Sequence, residues 1–112
     1  PKQKNDLTSV KMTEEELRAL MQNEEIVLID FYAPWCAPCK KMAPIIDRIE
    51  EEYASRVSVE RVDVAANPNL GKSFNISSIP VFSIYHEGKE IWRNTGLTEK
   101  SLLESELGKL LK

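Results

Sequence analysis

The sequence predicts an α/β fold: a central mixed β-sheet of about five strands flanked by about four helices. Two observations carry this expectation. Apolar runs of strand length alternate with segments of helical period, which produces strand–helix–strand crossovers. Two late runs are separated only by His86-Glu87-Gly88-Lys89, a hairpin signal that adds antiparallel pairing. At 112 residues the chain has the length of one domain. That domain is taken as 1–112, with the polar residues 1–6 expected to fray.

The elements follow in order. Leu7 to Met12 reads as a short edge strand. Thr13-Glu14-Glu15-Glu16 is a capping box opening a helix whose apolar face is Leu17, Leu20 and Met21. Ile26 to Tyr32 (IVLIDFY) is almost wholly apolar, as a strand covered on both faces must be. After the two cysteines, Met42, Ile45, Ile46, Ile49 and Tyr53 recur at helical spacing, with Pro44 expected to kink that helix. Val57 to Val64 is the next strand, and an apolar phase shift between Val59 and Val62 suggests a bulge. Asn67-Pro68 opens a short helix. Val81 to Tyr85 and Glu90 to Thr95 are the hairpin strands. Thr98 is expected to cap a last helix with Leu102, Leu103, Leu107, Leu110 and Leu111 inward.

Composition excludes several classes of function. Net charge is −3 with both signs scattered, and no basic stripe is present to follow a nucleic acid. No apolar stretch approaches the roughly 20 residues of a membrane span. No hydrophobic signal region is present, so a cytoplasmic location is expected, or an extracytoplasmic one if a leader preceded Pro1. Both cysteines lie in one C-x-x-C, whereas a disulfide scaffold spreads several along the chain.

That motif, Trp35-Cys36-Ala37-Pro38-Cys39-Lys40, sits at the carboxyl end of the apolar strand, where open α/β sheets bind ligands. Cys36 directly precedes a helix, so its sulfur meets unpaired backbone N–H groups and the positive end of the helix dipole. Both favour thiolate, the reactive form, and Lys40 and Lys41 add positive charge. Cys36 is therefore expected to be the exposed, attacking sulfur, with Cys39 shielded one turn in. Pro38 stiffens the spacer and keeps the second thiol within bonding reach. A C-x-x-C can also be half a zinc site, but four ligands are needed and the chain adds only His86, which reads as an exposed turn residue. A purely structural disulfide is the other bland reading. Asp30 lies between Ile29 and Phe31, where an isolated carboxylate is costly unless it has a function. Arg61 either reaches Asp30 or is a solvated surface residue. Trp35, in a proline-flanked loop, suits a substrate platform better than a core.

WCAPCK after DFYAP, Asp30 in the preceding strand, Pro44 in the following helix, Ile79-Pro80 before a strand and Gly96 after the last strand together resemble a thioredoxin from about Leu7 to the end. The chain departs from the common pattern at Ala37, where Gly is usual, at Tyr32, where Trp is common, and at Arg61, where Lys is common. The spacer is a lever on redox potential in this family, so Ala37 bears on the potential and not on the reaction type.

The resemblance implies a protein-disulfide reductase. Cys36 attacks a substrate disulfide and Cys39 resolves the mixed disulfide. Asp30 serves as general base for Cys39 through a water. An NADPH-dependent thioredoxin reductase renews the dithiol. The resemblance further implies a monomer with no bound cofactor beyond its own Cys36–Cys39 disulfide, and protein disulfides as partners. The Ile79–Pro80 bond would be cis, and Trp35, Ala37, Pro38, Ile79, Pro80 and Gly96 would form an apolar groove around the Cys36 sulfur. The competing expectations are a specialised extracytoplasmic reductase or oxidase on the same fold and a redox-silent binding module. The Ala37-Pro38 spacer lacks the His common in oxidants of this superfamily and favours a reductant.

Overall fold

Residues 11–111 are described in the computed structural model of the chain. The expected tail 1–6 and most of the expected strand Leu7 to Met12 lie outside the described residues; Lys11 and Met12 belong to no helix or strand. The first helix, α1 (Glu14–Asn23), opens as its sequence dictates. The Glu16 amide donates to Thr13 Oγ1 at 3.0 Å, and the Thr13 amide donates to Glu16 Oε1 at 2.8 Å. Thr13→Ala removes one half of this reciprocal cap and is expected to lower stability by about 1 kcal/mol. A shifted urea midpoint at unchanged m-value is the readout, and an unmoved midpoint would deny the cap its role.

Strand β1 (Ile26–Tyr32) is buried from Ile26 to Phe31 and lies inside the sheet, as its apolar run requires. It pairs in parallel with β2 (Ser58–Asp63) and antiparallel with β3 (Val81–His86), and β4 (Lys89–Thr95) pairs antiparallel with β3. The order is β2-β1-β3-β4, a mixed sheet of four strands among the described residues. Alternation alone suggested a second parallel crossover into β3. The intervening helix α3 (Pro68–Ser73) has only six residues, about 9 Å of rise, and is too short to carry the chain back along the sheet. The chain therefore re-enters at the end where β2 finished, with Val81 opposite Phe31.

The bulge expected in β2 is absent: register is continuous from Val27↔Ser58 to Tyr32↔Asp63. The apolar phase breaks because Glu60 is itself buried, so an inward position carries a polar side chain. The irregularity in the sheet lies instead in the hairpin, between Ile84 and Tyr85. Its turn, Glu87-Gly88, has φ of 53° and 84°, the two-residue left-handed geometry that matches the twist of a hairpin.

The two faces of β1 carry two cores. Ile26 and Leu28 pack with Met42, Ile46 and Ile49 of α2 (Ala37–Glu52) and with Leu103 and Leu107 of α4 (Lys100–Gly108). Val27, Ile29 and Phe31 pack with Leu17 and Met21 of α1 and with Leu70 and Phe74 at α3. Asp30 continues the Ile26–Leu28 face by the two-residue period of a strand, so it points toward α2. Thr98 does not cap α4. That position is Glu99, which makes no side-chain cap, because the Thr98 hydroxyl is already engaged: it donates to the Gly96 carbonyl at 3.0 Å and accepts from Asn94 Nδ2 at 2.8 Å. Leu103 and Leu107 are the buried leucines of α4, Leu110 and Leu111 are partly buried beyond it, and Leu102 is exposed.

Candidate active site

The C-x-x-C stands where β1 ends and α2 begins. Cys36 is the N-cap of α2, in extended backbone, and its Sγ accepts the Cys39 amide at 3.2 Å. A sulfur thus takes the place that a serine or aspartate oxygen usually holds at a helix start. Pro38, in the first turn, lacks an N–H at a point where a helix has no partner for one. The two sulfurs are bonded to each other, with Cα atoms 5.2 Å apart.

Both cysteines are buried to the same degree, each 6% exposed, which corrects the expectation of an open Cys36 beside a shielded Cys39. The half-buried Tyr32 and Ile79 pack around the pair together with Ala33, and the Ile79 carbonyl oxygen lies 4.0 Å from Cys36 Sγ. What separates the two in this structure is position at the helix start: Cys36 is the cap and Cys39 lies inside the first turn.

Around the sulfurs the surface is open and apolar. Trp35 is 72% exposed, so it is no core residue, and Ala37 and Pro38 are exposed beside it. The Ile79–Pro80 peptide bond is cis, Pro80 is buried, and the Pro80 carbonyl accepts the Gly96 amide at 2.7 Å. Gly96 has φ +91°, a backbone that favours glycine, and a Cβ built there would meet no atom within 4 Å. The antiparallel pairing of β1 with β3 explains this assembly, since the end of β1 and the start of β3 share one edge of the sheet. The sequence reading missed Leu97, an exposed leucine directly after Gly96. Its signal was an apolar residue in an otherwise polar turn.

Beside Cys39, a cavity of about 220 Å³ is lined by Asp30, Tyr32, Ala33, Cys39, Lys40 and Arg61, among others. It places the buried carboxyl and the second cysteine on one space with room for several waters. Asp30 Oδ1 has no hydrogen-bond partner, and burial pushes this carboxyl up to about 7 against a smaller downward pull from the Arg61 charge. Arg61 fits neither expectation made for it. It is Cα partner to Asp30 across the strands, yet its Nη2 donates to Asp47 Oδ1 at 2.7 Å and to Glu50 Oε1 at 3.0 Å. His86 is likewise no free turn residue: it ends β3 half-buried, its Nε2 3.7 Å from Glu25 Oε2. Glu25, His86 and Glu87 are the group among the described residues whose ligand atoms could share a metal, at the end of β1 away from the cysteines.

A helix that starts on a sulfur, with a second sulfur one turn along to close on it, is equipped to make and break one S–S bond. The protein is a thiol–disulfide oxidoreductase. The thioredoxin family model matches residues 8–109. A thioredoxin of Porphyra purpurea is 38% identical over 92 residues, covering 82% of this chain and 86% of that protein. A thioredoxin of Alicyclobacillus acidocaldarius is 32% identical over 103 residues, covering 92% and 98%. The oxidised mitochondrial thioredoxin 3 of Saccharomyces cerevisiae superposes with a TM-score of 0.78 at 29% identity, covering 85% of this chain and 88% of that one. The chain belongs to the thioredoxin family, whose members act on protein disulfides through a redox-active disulfide in the polypeptide itself.

Proposed function

We propose that this chain is a single-domain, monomeric reductase of protein disulfides in the cytoplasm, renewed by an NADPH-dependent thioredoxin reductase and carrying no bound cofactor. Cys36, as thiolate, attacks one sulfur of a substrate disulfide. A Cys36–substrate bond forms and the other substrate sulfur leaves as thiolate. Cys39 then passes its proton to Asp30 through water, and its sulfur attacks Cys36. The Cys36–Cys39 bond forms, the second substrate sulfur leaves, and two electrons have reached the substrate. Trp35, Ala37, Pro38, Ile79, Pro80 and Gly96 hold the extended substrate, with the Ile79 backbone pairing to it in the manner of an added strand.

The observation that carries this reading is the cavity shared by Cys39 and Asp30, which gives the resolving thiol a buried base near neutral pH. The test is insulin turbidity driven by dithiothreitol. Precipitation well ahead of dithiothreitol alone is expected. A rate equal to the uncatalysed one would mean a redox-silent binding module.

A further inference from the structure

Arg61 poses a question the reaction scheme leaves open. Its backbone sits opposite Asp30 on the neighbouring strand, and both side chains line the same cavity. A guanidinium so placed is an obvious partner for a buried carboxylate. Yet the ion pairs of Arg61 go to α2, to Asp47 and Glu50, while Asp30 Oδ1 and Arg61 Nε each stay buried without a hydrogen-bond partner. Two groups that would satisfy each other make no hydrogen bond, while an acidic pair on a third element binds the guanidinium.

We propose that Asp47 and Glu50 are positioning residues that hold the Arg61 guanidinium off Asp30, and so keep Asp30 able to take the Cys39 proton. An opposite charge brought against a carboxylate favours its ionised form and weakens it as a base. With Arg61 drawn to α2, the other groups facing Asp30 are Lys40 and Cys39 of α2 and Tyr32 of its own strand, while β3 offers Phe82 opposite it. The inference rests on the reading of Asp30 as base, but the geometry tested is that of Arg61.

The experiment follows Asp30 directly, by carbon NMR of its carboxyl across pH in the oxidised protein. Asp47→Asn with Glu50→Gln frees the guanidinium, and the Asp30 midpoint should fall by about one to three pH units. Removing two negative charges would also lower that midpoint through space, so the same pair is placed in an Arg61→Met background. If the effect runs through Arg61, the fall shrinks there to a few tenths of a unit. Asp47→Glu with Glu50→Asp keeps both charges and should leave the midpoint where it was. A fall of equal size with and without Arg61, or no fall in either, overturns the proposal. Mixed-disulfide resolution followed against pH separates the two readings. Its midpoint should move with that of Asp30. If the carboxyl moves and the rate profile does not, the reading of Asp30 as base falls while the placement of Arg61 stands.

Discussion

Cys39→Ser is expected to reduce turnover to the uncatalysed rate and to leave the protein covalently joined to its substrate. Cys36→Ser is expected to lose turnover equally and to trap nothing. The difference comes from where each sulfur sits. Cys36 Sγ is the cap of α2, accepting a backbone amide at the positive end of a 16-residue helix, so the charged form of this sulfur is the one the fold favours. Cys39 lies within the first turn and faces the cavity with Asp30. In the reduced protein at neutral pH, iodoacetamide should therefore label Cys36 well ahead of Cys39. Mass spectrometry of the labelled peptide and of the trapped adduct reads both outcomes. Preferential labelling of Cys39, or a mixed disulfide captured by Cys36→Ser, would reverse the assignment.

Asp30→Asn is expected to make the protein more stable and a poorer catalyst. Burial raises this carboxyl from 3.8 to about 7. Below about pH 4 the folded and unfolded chains both hold the proton. As pH rises from about 4 to about 7, the unfolded chain releases it and the folded one keeps it, so stability falls through that window and stays lower above it. A span of about 3 pH units corresponds to about 4 kcal/mol at most. Asparagine keeps the shape and removes the charge, so the variant should gain roughly 2–4 kcal/mol at pH 8 and little at pH 4. Urea unfolding at those two pH values measures the gain. Stopped-flow resolution of a preformed mixed disulfide should be slower in the variant near neutral pH. A variant less stable at pH 8 and undiminished in resolution would make Asp30 a structural residue and remove the base from the scheme.

What the sequence disclosed, and what it withheld, divides along a physical line. Local chemistry was readable. The capping box at Thr13, the two-sided burial of Ile26 to Phe31 and the cost of Asp30 among Ile29 and Phe31 each follow from a few neighbouring residues. Properties set by distant partners were not. The antiparallel entry of β3 depends on how far a six-residue α3 can carry the chain. The hydroxyl of Thr98 is engaged by Asn94 and Gly96, so a correct cap residue type stands one position before the cap that formed, Glu99. The burial of Cys36 depends on Ile79, 43 positions away. Arg61 was expected either to reach Asp30 or to lie in solvent, and only the packing of α2 on the sheet shows that it takes Asp47 and Glu50.

The disulfide spans a sequence separation of only three, so the ring it closes is among the smallest a chain can make. By the chain-entropy relation, a ring of about four residues restrains the unfolded chain by about 2 kcal/mol, against about 4.7 for a 100-residue loop. The bond is therefore a minor tie between parts of the molecule, and neither core depends on it. Oxidised and reduced forms should share one architecture, and the molecule can gain or give up an electron pair at its rim while its interior stays unchanged. Such a body can be cycled repeatedly without refolding, which is the mechanical requirement for a diffusing electron courier.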